Sequence, residues 1–66
     1  MVYLDSSAIR AADYNERTLV LAITFTSGNT YDYYGVPKSV YLGLISAASA
    51  GQYFNAYIRD QYSSNR

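Results

Sequence analysis

In the run Thr18-Leu19-Val20-Leu21-Ala22-Ile23-Thr24-Phe25-Thr26 the large apolar residues Leu19, Leu21, Ile23 and Phe25 stand at every second position. Successive side chains of a strand point to opposite faces, so this period sets all four on one buried face. Ser27-Gly28-Asn29 follows, and Gly and Asn accept the positive φ that a hairpin turn demands. The chain returns as Thr30-Tyr31-Asp32-Tyr33-Tyr34, with Tyr31 and Tyr33 on one face and Asp32 and Tyr34 on the other. Aromatic residues suit such a half-buried, pleated position.

Upstream of this hairpin, residues 8–14 alternate weakly, and Ile9 and Ala11 are expected to share a face. Asn15-Glu16-Arg17 then supplies polar turn chemistry, which makes three strands. Gly35-Val36-Pro37 breaks the last strand and places a proline at the first position of a helix, where its missing N–H costs nothing. That helix is predicted to run to about Ala47, with Val40, Leu44 and Ala47 or Ala48 on one face and Tyr41 and Ile45 widening it. Gly43 weakens it by about 1 kcal/mol relative to alanine. Ser49-x-x-Gln52 has capping-box spacing, so a second helix is predicted from there to about Tyr62, carrying Phe54 and Ile58 inward.

Strands followed by helices define an α+β domain: a three-stranded antiparallel sheet, then two helices on one of its faces. One unit is expected over residues 6–62, with residues 1–5 and 63–66 as short tails, the latter frayed. Its expected core is Leu19, Leu21, Ile23, Phe25, Val40, Leu44, Phe54 and Ile58. A chain of 66 residues has room for one core and buries only roughly 60% of its extended surface, so association with a partner matters to it.

Composition narrows the chemistry. With no cysteine and no histidine, disulfides and the usual soft metal ligands are gone together, so neither a metal nor another cofactor is expected. No apolar run approaches the roughly 18 to 20 residues of a membrane span, and Met1-Val2-Tyr3-Leu4-Asp5 carries an acid where an export signal wants bases. A cytoplasmic protein is the expectation. Catalysis lacks a poised base: the remaining candidates are five carboxylates, one lysine, serines and tyrosines, in no suggestive arrangement. The chain is therefore read as a binding protein and not an enzyme.

Three stretches carry a resemblance over nearly the whole chain. They are Ser6-Ser7-Ala8-Ile9, then Tyr31-Asp32-Tyr33-Tyr34-Gly35-Val36-Pro37, and lastly residues 51–62 beginning Gly51-Gln52-Tyr53-Phe54-Asn55-Ala56-Tyr57-Ile58. In order and spacing they resemble the KTSC domain, a small bacterial and phage module that also forms the C-terminal extension of some lysyl-tRNA synthetases. The resemblance implies an accessory protein of phage or bacterial origin, and the attachment to a synthetase implies RNA as one possible partner.

Two classes of function remain. Nine tyrosines are too many to bury in so small a core, and five bases against five acids leave no net charge. Part-exposed tyrosines on a neutral domain point first to a protein partner or self-association. The alternative is single-stranded RNA stacked on tyrosines, with Arg10, Lys38, Arg59 and Arg66 meeting phosphates. The Tyr31/Tyr33 pair is either such a stacking platform or core beneath the helices, in which case Tyr34 and Asp32 face outward. Asn55 and Arg59, four apart on a helix, form the preferred polar site. The candidate binding surface is thus Tyr31, Tyr33, Tyr34, Lys38, Asn55, Arg59 and Arg10.

Overall fold

The computed structural model describes all 66 residues. Its strands are β1 (Val2–Tyr3), β2 (Ile9–Asn15), β3 (Val20–Phe25) and β4 (Thr30–Tyr33), followed by the helices α1 (Lys38–Ser46) and α2 (Ala50–Tyr57). The strands pair in chain order as one antiparallel sheet. The α+β arrangement is the expected one, with four strands in place of three. The extra strand comes from residues expected to be a tail: Val2 and Tyr3 pair with Ala12 and Ala11.

The β3–β4 hairpin follows the sequence pattern. Leu21 pairs with Tyr33 and Ile23 with Tyr31 on the core face, while Ala22 pairs with Asp32 on the other. Gly28 takes φ 100°, and Gly28 N–H donates to the Phe25 carbonyl at 2.9 Å. The β2–β3 hairpin departs from it at Leu19. Asn15 Oδ1 accepts from the N–H groups of Arg17 and Thr18, which opens a four-residue loop, and Leu19 closes the loop at φ 59°. Val36 N–H donates to the Leu19 carbonyl at 2.9 Å and holds it there. Leu19 is consequently 42% exposed and lies outside both the strand and the core, because the left-handed turn rotates its side chain away from the strand's alternation.

A second departure lies in β2. Ile9 pairs with Phe25 but Ala11 pairs with Thr24, so Arg10 is an extra residue and the register shifts. Such a bulge reverses the alternation. Ile9 and Ala12 therefore face the core, whereas Ala11 faces the opposite side with Thr24, contrary to the shared face expected for Ile9 and Ala11.

The core is Ile9, Ala12, Leu21, Ile23, Tyr33, Val36, Leu44, Ala50, Phe54 and Ile58, with Phe25, Tyr31 and Val40 half-buried against it. Pro37 is the N-cap of α1 rather than its first residue, and its carbonyl accepts from Val40 and Tyr41. Ser49 caps α2 by accepting from Gln52 N–H at 3.4 Å, one half of the expected capping box. The helix stops at Tyr57, earlier than predicted, since Ile58 leaves helical geometry at φ −122° while remaining fully buried.

The C-terminal residues are not frayed. Tyr34 N–H donates to Ser63 O at 2.9 Å, Asn65 N–H donates to Asp32 O at 3.1 Å, and Asp32 N–H donates to Asn65 Oδ1 at 2.8 Å. The chain thus covers the outer edge of β4 with its own last residues, one of the ways a sheet protects an edge.

Tyr33 is packed edge-on against Phe54 with ring centroids 5.4 Å apart, and its buried hydroxyl has no hydrogen-bond partner. A buried, unpaired hydroxyl costs about 1 to 3 kcal/mol. Tyr33→Phe is therefore expected to hold or raise the unfolding midpoint in urea. A loss above 1 kcal/mol would show that the hydroxyl is bonded in solution.

Candidate interaction surfaces

Both helices lie on the face that carries Leu21, Ile23 and Tyr33, leaving the other sheet face uncovered. On that open face stand Val20, Ala22 and Thr24, half-buried, with Asp13 and Asp32 on either side of Ala22; Ala11, paired with Thr24, is buried among its neighbours. Thr24 and Thr30 share a hydrogen bond between their hydroxyls at 2.8 Å. Tyr3, paired with Ala11, flanks the face and is 76% exposed; Tyr34, just past the end of β4, is 43% exposed. Small side chains thus leave an open surface that carries the two carboxylates Asp13 and Asp32 and is flanked by Tyr3.

A concave region lies where β2 ends, beneath the start of α1. Tyr14 and Tyr41 stack on its helix side with centroids 5.0 Å apart and planes within 12°. Tyr14 is fixed by its hydroxyl, which donates to the Val36 carbonyl at 2.6 Å. At the rim, Lys38 Nζ meets Glu16 Oε2 at 2.9 Å. The hydrogen bond and then the charge of Lys38 hold the Glu16 carboxyl below its ordinary value, and Glu16 raises Lys38 by the same two causes. Both groups are solvated, so the pair adds little to stability. Arg17 also lines this region.

The sequence-based site residues do not gather into one surface. Tyr33 is buried in the core and Tyr31 is half-buried beside Phe25 at a centroid distance of 5.9 Å, so the pair is not a stacking platform. The reason is register: both tyrosines share the face of Leu21 and Ile23, which the helices cover. Asn55 and Arg59 are exposed, but α2 ends between them, so they are not neighbours on one helical face. Arg10 is exposed at the bulge, Lys38 is paired with Glu16, and Tyr34 is exposed just past the end of β4. Arg66 places its guanidinium 5.3 Å from the Tyr31 ring centroid and 5.8 Å from that of Phe25. Tyr3, Tyr14, Tyr41 and Arg17 were not singled out from sequence. Their positions depend on β1 and on the pairing of the end of β2, neither of which has a strong local signal.

No helix is long and apolar enough to cross a membrane, and no three carboxylates converge. Architecture and surface together define a small α+β domain whose distinguishing features are an open sheet face and a shallow groove. Residues 5–62 match the KTSC domain, and the chain belongs to the KTSC domain family. It is similar to a protein of Tsukamurella paurometabola, 41% identical over 59 residues that span 89% of this chain and 88% of that one. A lysine–tRNA ligase of Nostoc punctiforme is 40% identical over 58 residues, covering 88% of this chain but 10% of the ligase. Among solved structures, a KTSC domain protein from Yersinia pestis superposes with a TM-score of 0.93 at 30% identity, covering 97% of this chain and 90% of that one.

Proposed function

We propose that this chain is a non-catalytic protein-interaction module whose contact surface is the open sheet face. The observation that carries the reading is an uncovered face of small side chains, Val20, Ala22 and Thr24, with Tyr3, 76% exposed, at its margin. Tyrosine gives large contact area at low entropic cost and keeps a polar edge, which suits a protein interface. The similarity to part of a lysine–tRNA ligase motivates RNA as the second reading. Against it stand the acids on this face, Asp13 and Asp32, and the engagement of Lys38 with Glu16 and of Arg66 with Tyr31. A base-stacking surface needs free cations beside exposed rings.

The test is affinity purification of the intact protein from its source cells, with protein and RNA identified in parallel, beside Thr24→Arg. A bulky cation at the centre of the face is expected to abolish protein recovery while leaving the melting curve close to wild type. Recovery that falls steeply with rising salt and contains RNA would favour the nucleic-acid reading instead.

A further inference from the structure

The two edges of the sheet are treated differently. At β4 the edge is filled by Ser63 and Asn65 through main-chain and side-chain hydrogen bonds. At the other edge β1 is only two residues long and pairs with Ala11 and Ala12, and Leu4 N–H adds a bond to the Arg10 carbonyl at 2.8 Å. Tyr14 and Asn15 continue β2 beyond this cover, paired with Leu21 and Val20 on one side and with no strand on the other. This end of β2 borders the groove described above, so the outward main-chain edge of Tyr14 sits beside a concavity.

The groove is also specific in charge. Asp13 is met by the N-terminal ammonium at 3.6 Å and Glu16 by Lys38 at 2.9 Å, which leaves Arg17 as its one charged side chain without an ionic partner. Its apolar floor is the stacked Tyr14 and Tyr41, held in place by the bond to Val36. A residue placed opposite Tyr14 across a ladder shares the face of Tyr14, and so falls on this stack.

From these observations we propose that the uncovered end of β2 docks an extended peptide of a partner protein, added as a strand alongside Tyr14 and Asn15. The peptide sets an apolar or aromatic side chain on the Tyr14–Tyr41 stack and a carboxylate against Arg17. Strand addition is a general mode of peptide recognition in which main-chain bonds supply affinity and alternate side chains supply selectivity. The proposal rests on the reading of the chain as a protein-interaction module and extends it from the open sheet face to the groove, which shares Asp13, Val20 and Ala22 with that face.

The test selects from a displayed library of random octapeptides against the intact protein, then measures synthetic versions of the enriched sequences by fluorescence anisotropy. Expected are extended sequences with an acidic residue near an apolar one, whose affinity falls about tenfold or more when alternate peptide nitrogens are methylated, because methylation removes the ladder donors. Arg17→Glu, in an exposed turn, is expected to weaken the same peptides about tenfold with an unchanged melting curve. Thr24→Arg, on the open sheet face and outside the groove, is expected to leave their binding intact. No enrichment, or binding insensitive to both methylation and Arg17→Glu, overturns the edge site. If Thr24→Arg abolishes binding while Arg17→Glu does not, the peptide lies on the open sheet face; the edge site then fails while the interaction-module reading stands. Cellular partners retained by Thr24→Arg would instead overturn the assignment of the open face.

Discussion

Phe54→Ala is expected to cost about 3 to 5 kcal/mol, enough to leave a domain of this size largely unfolded at room temperature. Phe54 is 4% exposed and is the ring at which helix and sheet meet. It lies edge-on to Phe25 from β3 at 5.3 Å and edge-on to Tyr33 from β4 at 5.4 Å, both favourable aromatic geometries. Truncation removes the ring's burial and leaves a cavity among Tyr33, Phe25 and the rest of the core, which the stiff sheet cannot close. Urea denaturation checks it: a midpoint shift worth less than 1 kcal/mol would show that the ring is not the joint between the layers. Arg59→Ala in the same assay is the matching control. An exposed arginine without an ion pair is expected to change stability by less than about 0.5 kcal/mol.

Gly43→Ala is expected to destabilise, although alanine is the better helix former by about 1 kcal/mol. A methyl group at Gly43 would overlap the Tyr53 side chain, with the ring carbons Cζ and Cε2 at 2.6 and 2.9 Å. Tyr53 from α2 lies across α1 at this point and is itself against Tyr57, centroids 4.7 Å apart, so it must swing out to make room. Overpacking of this kind costs about 1 to 3 kcal/mol, which exceeds or cancels the gain in helix propensity. The glycine is thus a contact site between the helices, and its cost to α1 is offset by their closer approach. The double variant Gly43→Ala/Tyr53→Ser separates the two effects: with the ring gone, the alanine is expected to stabilise. If Gly43→Ala alone raises the midpoint by the full propensity gain, Tyr53 does not occupy that position in solution.

These residues show how the sequence and the tertiary structure divide the description. From sequence, Gly43 is only a weak point in a helix; what it accommodates depends on a tyrosine ten positions away on another element. Leu19 illustrates the same division within a hairpin. It continues a perfect period-two pattern, yet the loop begun by the Asn15 side chain needs a left-handed residue at its end, and Leu19 fills that place. Periodicity reports which residues share a face only while the strand lasts.

The order of elements, the buried stripe of Leu21, Ile23, Leu44, Phe54 and Ile58, the turn at Gly28 and the family membership were all determined by the sequence alone. Each rests on local signals: alternation, helical spacing, turn residues and a motif with fixed order. The face shown by Tyr31 and Tyr33, the fourth strand, the bulge at Arg10, the covered edge of β4 and the groove beside Tyr14 were decided only in three dimensions. A strand's pattern separates its two faces but does not say which one the helices will cover. Nor does it say where a two-residue strand or the last few residues will find partners, because those bonds are made between segments far apart in the chain, and two or three residues carry too little pattern to announce them.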